Sequence, residues 1–240
     1  MGAFTCGIGG HNFAVSCLFD STAHYCARYP ATGEPEIALT IHPHQLEIQQ
    51  EALRQEAILE GLKPRIFTDP FLERTVLQGL IADDLRGFGF FLLHGSTLAM
   101  DGKAYLFTAK CGTGKSTHTR LWRQVFGDRV TMLNDDKPFL ERTETGITVW
   151  GSPWSGKHGL DTNISAPLAG VCVLERGTEN QIRPLNPAEA LPLLRHQADE
   201  KDRIFLESLV KTVPLWRMQC TKDPAAAHVA WEAMADFQLP

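Results

Sequence analysis

The run Ala109-Lys110-Cys111-Gly112-Thr113-Gly114-Lys115-Ser116 constrains this chain more than any other part of its sequence. It fits the Walker A pattern, with alanine in place of the first glycine. The pattern has meaning only between a strand that feeds it and a helix that leaves it. Tyr105-Leu106-Phe107 precedes it as an apolar strand, and the chain from about Lys115 to Val125, carrying Leu121 and Trp122, reads as a helix stopped at Gly127. A glycine-rich turn with an incidental lysine would not need that context. Gly112 and Gly114 let the backbone turn its N–H groups toward an anion, and the helix aims its positive end at the same place. Lys115 offers a point charge to β- and γ-phosphates, the Ser116 hydroxyl suits Mg²⁺, and Thr117 extends the set. Residues 109–117 therefore predict binding of ATP or another nucleoside triphosphate with Mg²⁺ or Mn²⁺.

The flanking sequence predicts short strands. Phe90 to Leu93 is a continuous apolar run. Thr97 to Met100 and Ala104 to Thr108 flank Asp101-Gly102, a pair suited to a type I′ hairpin. Arg129 to Leu133 reads as a further strand, and Pro138 to Glu141 is expected to pair with Ile147 to Trp150 across Thr143-Glu144-Thr145-Gly146. The last part predicts a strand at Val171 to Glu175, helices near Pro187 to His196 and Lys201 to Lys211, and a strand at Trp216 to Cys220. A closing helix opened by Asp223-Pro224 would carry Val229, Met234 and Phe237.

Val130-Thr131-Met132-Leu133 runs into Asn134-Asp135-Asp136. Asn-Asp-Asp suits a solvated turn, yet carboxylates at the end of an apolar strand after such a loop and helix also suit Mg²⁺ opposite bound phosphates. Of two adjacent carboxylates, one can hold metal while the other accepts the proton of an attacking hydroxyl. His94 ends the Phe90 to Leu93 strand, where an imidazole can ligate a divalent metal or orient an aspartate. His118, within the helix, is expected to pack or cap locally. Trp154 and Lys157 lie in a Gly/Ser/Pro-rich loop of the kind that closes over a site, Lys157 as a ligand for phosphate or an acidic substrate, Trp154 alternatively as a buried anchor. Arg176 and Asn180 are candidates for the lip of the site, with Asp161 and Asn163 behind them.

The first third reads as a small α/β unit. His11 to Phe19 and Glu36 to Ile41 are strand-like, and Ser21 to Tyr29 suits a short helix. Pro43 to Glu60 predicts a helix lying on a sheet and stopped by Gly61. Asp69-Pro70 opens another, whose Leu72, Val76 and Leu80 and Leu77, Ile81 and Leu85 recur at four-residue spacing to give one buried face. Composition adds exclusions. Twenty-three Lys plus Arg against 28 Asp plus Glu, a net charge of -5, give no electrostatic footprint for nucleic acid. No apolar run approaches the ~20 residues that span a bilayer, and Met1 to Gly10 does not read as a signal peptide. The expectation is a cytoplasmic protein with no membrane or nucleic-acid partner, compatible with a homo-oligomer. Cys6, Cys17 and Cys26, with His11 or His24, fit no compact zinc knuckle, and the six cysteines are expected to stay reduced.

The order strand, histidine, hairpin, phosphate loop, helix, strand, Asp-Asp resembles the HPr kinase and phosphoenolpyruvate carboxykinase superfamily. The match covers Phe90 to about Leu140. It extends more loosely through Gly151-Ser152-Pro153-Trp154-Ser155-Gly156-Lys157 and Leu174-Glu175-Arg176-Gly177, and looks most like the small bacterial HPr kinase-like proteins. The resemblance implies an α/β fold: a P-loop core of mixed and antiparallel sheet with flanking helices over 87–240, and a small α/β lobe over 1–86. It implies that Asp135 lies nearer the reacting phosphoryl group, that Asp136 holds metal with Ser116, and that His94 stands where carboxykinases place a metal-ligating histidine. The chain is short for the carboxykinase N-terminal lobe, and no arginine set for phosphoenolpyruvate and no HPr-recognising motif is recognisable. A kinase acting on an unnamed acceptor is the first reading; a nucleotide-dependent regulatory module and a carboxykinase-like enzyme on a small acid are its rivals. Both carboxylates facing the γ-phosphate would favour the enzyme.

Overall fold

In the computed structural model, which describes residues 2–59 and 61–235, the chain divides into two units, Met1–Gly87 and Phe88–Pro240. The first is built on β1 (Gly2–Ile8), β2 (His11–Cys17), α1 (Asp20–Cys26), β3 (Ile37–Thr40), α2 (Pro43–Leu59) and α3 (Asp69–Arg86). β2 is the middle strand, antiparallel to β1 and parallel to β3. The strand β1 is not evident in the sequence, because Gly2, Thr5 and Gly7 interrupt its apolar alternation. One face of α3 buries Leu72, Val76, Leu77, Ile81 and Leu85, and Leu80 sits at the margin. Glu73 on the same face is fully buried, and its carboxylate accepts from the Leu18 and Phe19 N–H groups and the Thr22 hydroxyl. It thereby caps the start of α1 from a distance. α2 departs from expectation. Its neighbour is α3, only Leu46 is buried, and Ile48 and Leu59 face solvent, so it is not a helix laid on a sheet. Its end is as expected: Gly61 N–H bonds to Ile58 O and Leu62 N–H to Ala57 O, a Schellman-type stop.

The second unit contains β4 (Phe90–Leu92), β5 (Ser96–Met100), β6 (Lys103–Thr108), α4 (Lys115–Phe126), β7 (Val130–Asn134), β8 (Phe139–Thr143), β9 (Gly146–Trp150), β10 (Ser165–Arg176), β11 (Gln181–Pro184), α5 (Pro187–Leu194), α6 (Arg203–Thr212), β12 (Leu215–Cys220) and α7 (Ala225–Met234). Its nine-stranded sheet runs β4-β8-β9-β10-β6-β5-β7, with β12 beside β10 and β11 beside β12. The sheet is mixed: β10 is parallel to β6 and β12, and the remaining pairs are antiparallel. Asp101 and Gly102 take φ of 52 and 78°, the two positive values that a type I′ turn between β5 and β6 requires.

The strand β10 organises the unit. Ser165–Pro167 pair with β9, and from Val171 the strand pairs with β12. The sequence suggests only Val171 to Glu175, because Ser-Ala-Pro at its start has no strand signature and is held by its neighbour. β11 is likewise unannounced, an edge strand with no buried residue. The β8–β9 hairpin begins at Phe139 rather than Pro138, and Thr143 pairs directly with Gly146. Two cores cover the two faces of the sheet. Leu106, Leu133, Leu140, Val149, Val171 and Val173 pack with α5 and α6. Leu98, Tyr105, Phe107, Cys172 and Met218 pack with Leu121 and Trp122 of α4 and Ala227 and Ala230 of α7. Phe237 lies outside the described residues, as does Glu60. No helix among the described residues is long and apolar enough to cross a membrane.

At Gly170, where β10 shifts register against β6, the strand passes close under Trp216. A Cβ there would lie 2.3 Å from the Trp216 ring. Gly170→Ala should destabilise the second unit by about 1–3 kcal/mol through overpacking, read as a lower urea midpoint; an unchanged midpoint would contradict this packing.

Candidate functional site

β6 ends at Thr108 and α4 begins at Lys115, so the glycine-rich run forms the bend between them. Gly112 and Gly114 take φ of +74 and +127°, which side-chain-bearing residues rarely adopt. Thr113 N–H bonds to Lys110 O at 3.2 Å and closes the loop. The Lys115 ammonium folds back to donate to Ala109 O at 3.1 Å and is buried. That burial pulls its pKa down, against the pull of Asp136, Cys111 and Asp135. Ser116 and Thr117 are half-buried on the first turn, whereas Lys110 and Cys111 are exposed.

The acidic turn leaves β7 beside this helix. Asp135 is buried and accepts from Ser96 Oγ at 2.6 Å; the same hydroxyl lies 2.8 Å from Thr119 Oγ1, on the first turns of α4. Asp136 is half-buried, and His94 Nε2 lies 3.0 Å from its Oδ1. Burial alone would raise the Asp136 pKa, but the His94 hydrogen bond and the charges of His94, Lys137 and Lys115 hold it below the usual carboxylate value. His94 is fixed through its backbone as well, since Thr108 Oγ1 donates to its carbonyl at 2.7 Å. Gly95 N–H donates to Asp136 O at 3.0 Å. In this arrangement His94 orients an aspartate.

Asn134 holds the turn, and sequence reasoning passed over it. It is fully buried. Its Oδ1 accepts from the N–H groups of Asp136 at 2.8 Å and Lys137 at 2.6 Å. Its Nδ2 donates to Ser152 O at 2.8 Å, with Ser152 Oγ at 3.0 Å and Trp154 O at 3.3 Å. One carboxamide thus shapes the acidic turn and ties it to residues 151–159. The signal available in the sequence was an asparagine heading a polar turn, whose side chain commonly bonds backbone N–H groups two and three residues on. Ser96 and Thr119 were also overlooked. Both are ordinary strand and helix residues until the fold brings them together.

The 151–159 strap lies over Asp136: a Cβ on Gly156, which has φ of +69°, would come within 3.3 Å of the Asp136 Cβ. Trp154 is buried, with its ring edge-on to Phe139 at 6.3 Å, as an anchor of the strap would be. Lys157 is exposed in the 3₁₀ turn Gly156–His158. Asp161 is buried and accepts from Ser155 Oγ at 2.5 Å, so it closes the strap internally. Asn163 is exposed. Asn180 Oδ1 accepts from Thr221 N–H at 2.8 Å. Arg176 donates to Gly112 O at 2.5 Å and approaches Thr113 O at 3.4 Å. His118 packs as expected, accepting from Trp122 Nε1 at 3.1 Å with its ring 4.6 Å from Phe107.

No three His, Cys, Asp or Glu side chains converge as a metal cage among the described residues. Mg²⁺ is commonly carried by one or two carboxylates together with substrate phosphates and water. Asp135, Asp136 and Ser116 are donors of the hard oxygen type such an ion takes.

No family model matches the chain, and no curated protein matches its sequence. Among solved structures it is similar to the Hpr(Ser) kinase/phosphatase from Coxiella burnetii, with a TM-score of 0.38 and 11% identity, over 59% of this chain and 89% of that one. A likeness of that size assigns no activity.

Asn134→Ala should cost about 1–3 kcal/mol, because the Asp136 N–H loses its side-chain acceptor and the carboxamide's bonds to Ser152 are lost, while the Lys137 N–H keeps Trp154 O; urea unfolding that matches the wild type would contradict the linchpin role. His118 yields a pH prediction. Burial lowers its pKa from 6.5 to about 4, so the unfolded chain binds the proton more readily. Its contribution is complete above pH 6.5 and is lost as pH falls toward 4, by about 3 kcal/mol in all. His118→Gln, which keeps an acceptor for Trp122, should flatten the stability profile in that window; an equal slope in both proteins would refute the assignment.

Proposed function

We propose that this protein is an ATP- and Mg²⁺-dependent phosphotransferase that moves the γ-phosphoryl group to a hydroxyl of a small-molecule or protein acceptor. The observation that carries the reading is the convergence on Lys115. Its buried ammonium, at the base of a loop with two positive-φ glycines, lies within the field of both Asp135 and Asp136. Ser96 and Thr119 tie Asp135 to the same helix. A cation for transferring phosphate and a carboxylate for an acceptor proton are then held on one scaffold.

Residues 109–117 would bind the nucleotide, the loop N–H groups and Lys115 taking the phosphates. Ser116 and Asp136, with Asp135 as a further candidate, would hold the divalent ion, which supplies charge neutralisation at the phosphates. His94 orients Asp136. Asp135 accepts the acceptor hydroxyl proton as the acceptor oxygen bonds to γ-phosphorus. The bond from γ-phosphorus to the bridging oxygen breaks, and ADP leaves with that electron pair. Lys157 in the strap is the candidate contact for an acidic acceptor.

Incubation with γ-labelled ATP and Mg²⁺, against a panel of metabolites and protein fractions, should label an acceptor. Lys115→Ala should abolish labelling. Asp135→Asn should lower it at least about 10²-fold while still binding Mg·ATP. Turnover retained in Asp135→Asn would remove that residue from the base role. Nucleotide binding by the wild type without transfer to any fraction would favour a regulatory module.

A further inference from the structure

Arg176 is an exposed arginine whose guanidinium is aimed at main-chain oxygens of the glycine-rich loop. Its place follows from register. β10 and β6 run parallel, and their last pair is Val173 with Thr108. β6 then gives way to the loop, while β10 continues through Leu174 and Glu175 to Arg176, alongside the loop. On the other side β10 is secured by β12, with Arg176 opposite Cys220 and Gly177 N–H on Cys220 O at 3.1 Å. The neighbouring Glu175 carboxylate is paired with Arg217 at 2.7 Å. The Arg176 fork reaches Gly112 O at 2.5 Å and Thr113 O at 3.4 Å.

A peptide plane fixes its N–H opposite its C=O. Thr113 O turned to Arg176 therefore turns the Gly114 N–H the other way, and Gly112 O turned to Arg176 leaves Thr113 N–H to close on Lys110 O. Glycines make this stretch mobile in the absence of a partner, and carbonyl oxygens that swung inward would repel an anion. On the reading above of residues 109–117 as a phosphate site, we propose that Arg176 is a positioning residue. It grips the loop by the Gly112 and Thr113 carbonyls, keeps the Gly114 N–H turned toward the phosphates while the Thr113 N–H stays on Lys110 O, and raises nucleotide affinity without touching the nucleotide. A planar fork suits this work, because it can span two neighbouring oxygens where an ammonium serves one point.

The test pairs calorimetry with amide hydrogen exchange on the wild type, Arg176→Ala and Arg176→Gln. Arg176→Ala should weaken Mg·ATP about tenfold, and Mg·tripolyphosphate by the same factor. In the ligand-free protein it should also speed exchange at Thr113 and Gly114 with melting unchanged. Arg176→Gln, which keeps an N–H donor without the charge, should fall between. Weakened binding with unchanged loop exchange would mean that Arg176 meets the phosphates directly, and would overturn the proposal. So would unchanged affinity in Arg176→Ala. If the wild type binds no Mg·ATP, the nucleotide reading itself falls and takes this proposal with it.

Discussion

The hydroxyl of Ser96 is the interaction on which the site depends. It donates to Asp135 at 2.6 Å and lies 2.8 Å from Thr119 Oγ1. All three residues are buried. A buried carboxylate needs a donor, and a buried hydroxyl needs both a donor and an acceptor, so each group answers the requirement of another. The consequence is positional. The acidic turn, which leaves one strand, is tied to the helix that follows the glycine-rich loop. Without that tie, Asp135 would lose a hydrogen-bond donor in a buried setting and the acidic turn would lose its side-chain link to α4.

Around that contact the chain is held by parts that do no chemistry. Asn134 sets the backbone of the acidic turn and binds the strap in the same gesture. Gly156 allows the strap to pass within contact of Asp136. Arg176 takes the outer carbonyls of the loop. The strand β10 serves both sides: its end carries Arg176, and its body joins the β9 and β12 parts of the sheet. Each of these is a polar or glycine residue whose place is set by backbone geometry.

What could be read from the sequence divides along a physical line. The loop, the Asp101-Gly102 turn, the stop at Gly61 and the apolar face of α3 all express local rules: a positive φ, a helix cap, a four-residue period. These are visible without knowing the partner. The length of β10 was not, because Ser165–Pro167 become strand only through pairing with β9. β11 is hidden for the same reason, and β1 because Gly2, Thr5 and Gly7 break its apolar alternation. In the site, Lys115, Asp135, Asp136 and His94 could be named from residue type and order. Asn134, Ser96 and Thr119 could not, since their roles arise from residues distant along the chain. Of the two readings of Trp154, burial against Phe139 accords with the anchor.

On the proposed reading, residues 109–117 and the Asp135–Asp136 turn form one nucleotide site. Titrating the isotopically labelled protein with a Mg²⁺ complex of a non-hydrolysable ATP analogue, and following backbone amide shifts, addresses it directly. Saturable shifts are expected at Gly112–Thr117 and, at the same midpoint, at Asp135 and Asp136. Shifts confined to other parts of the molecule, or no saturable shift at Gly112–Thr117, would contradict it.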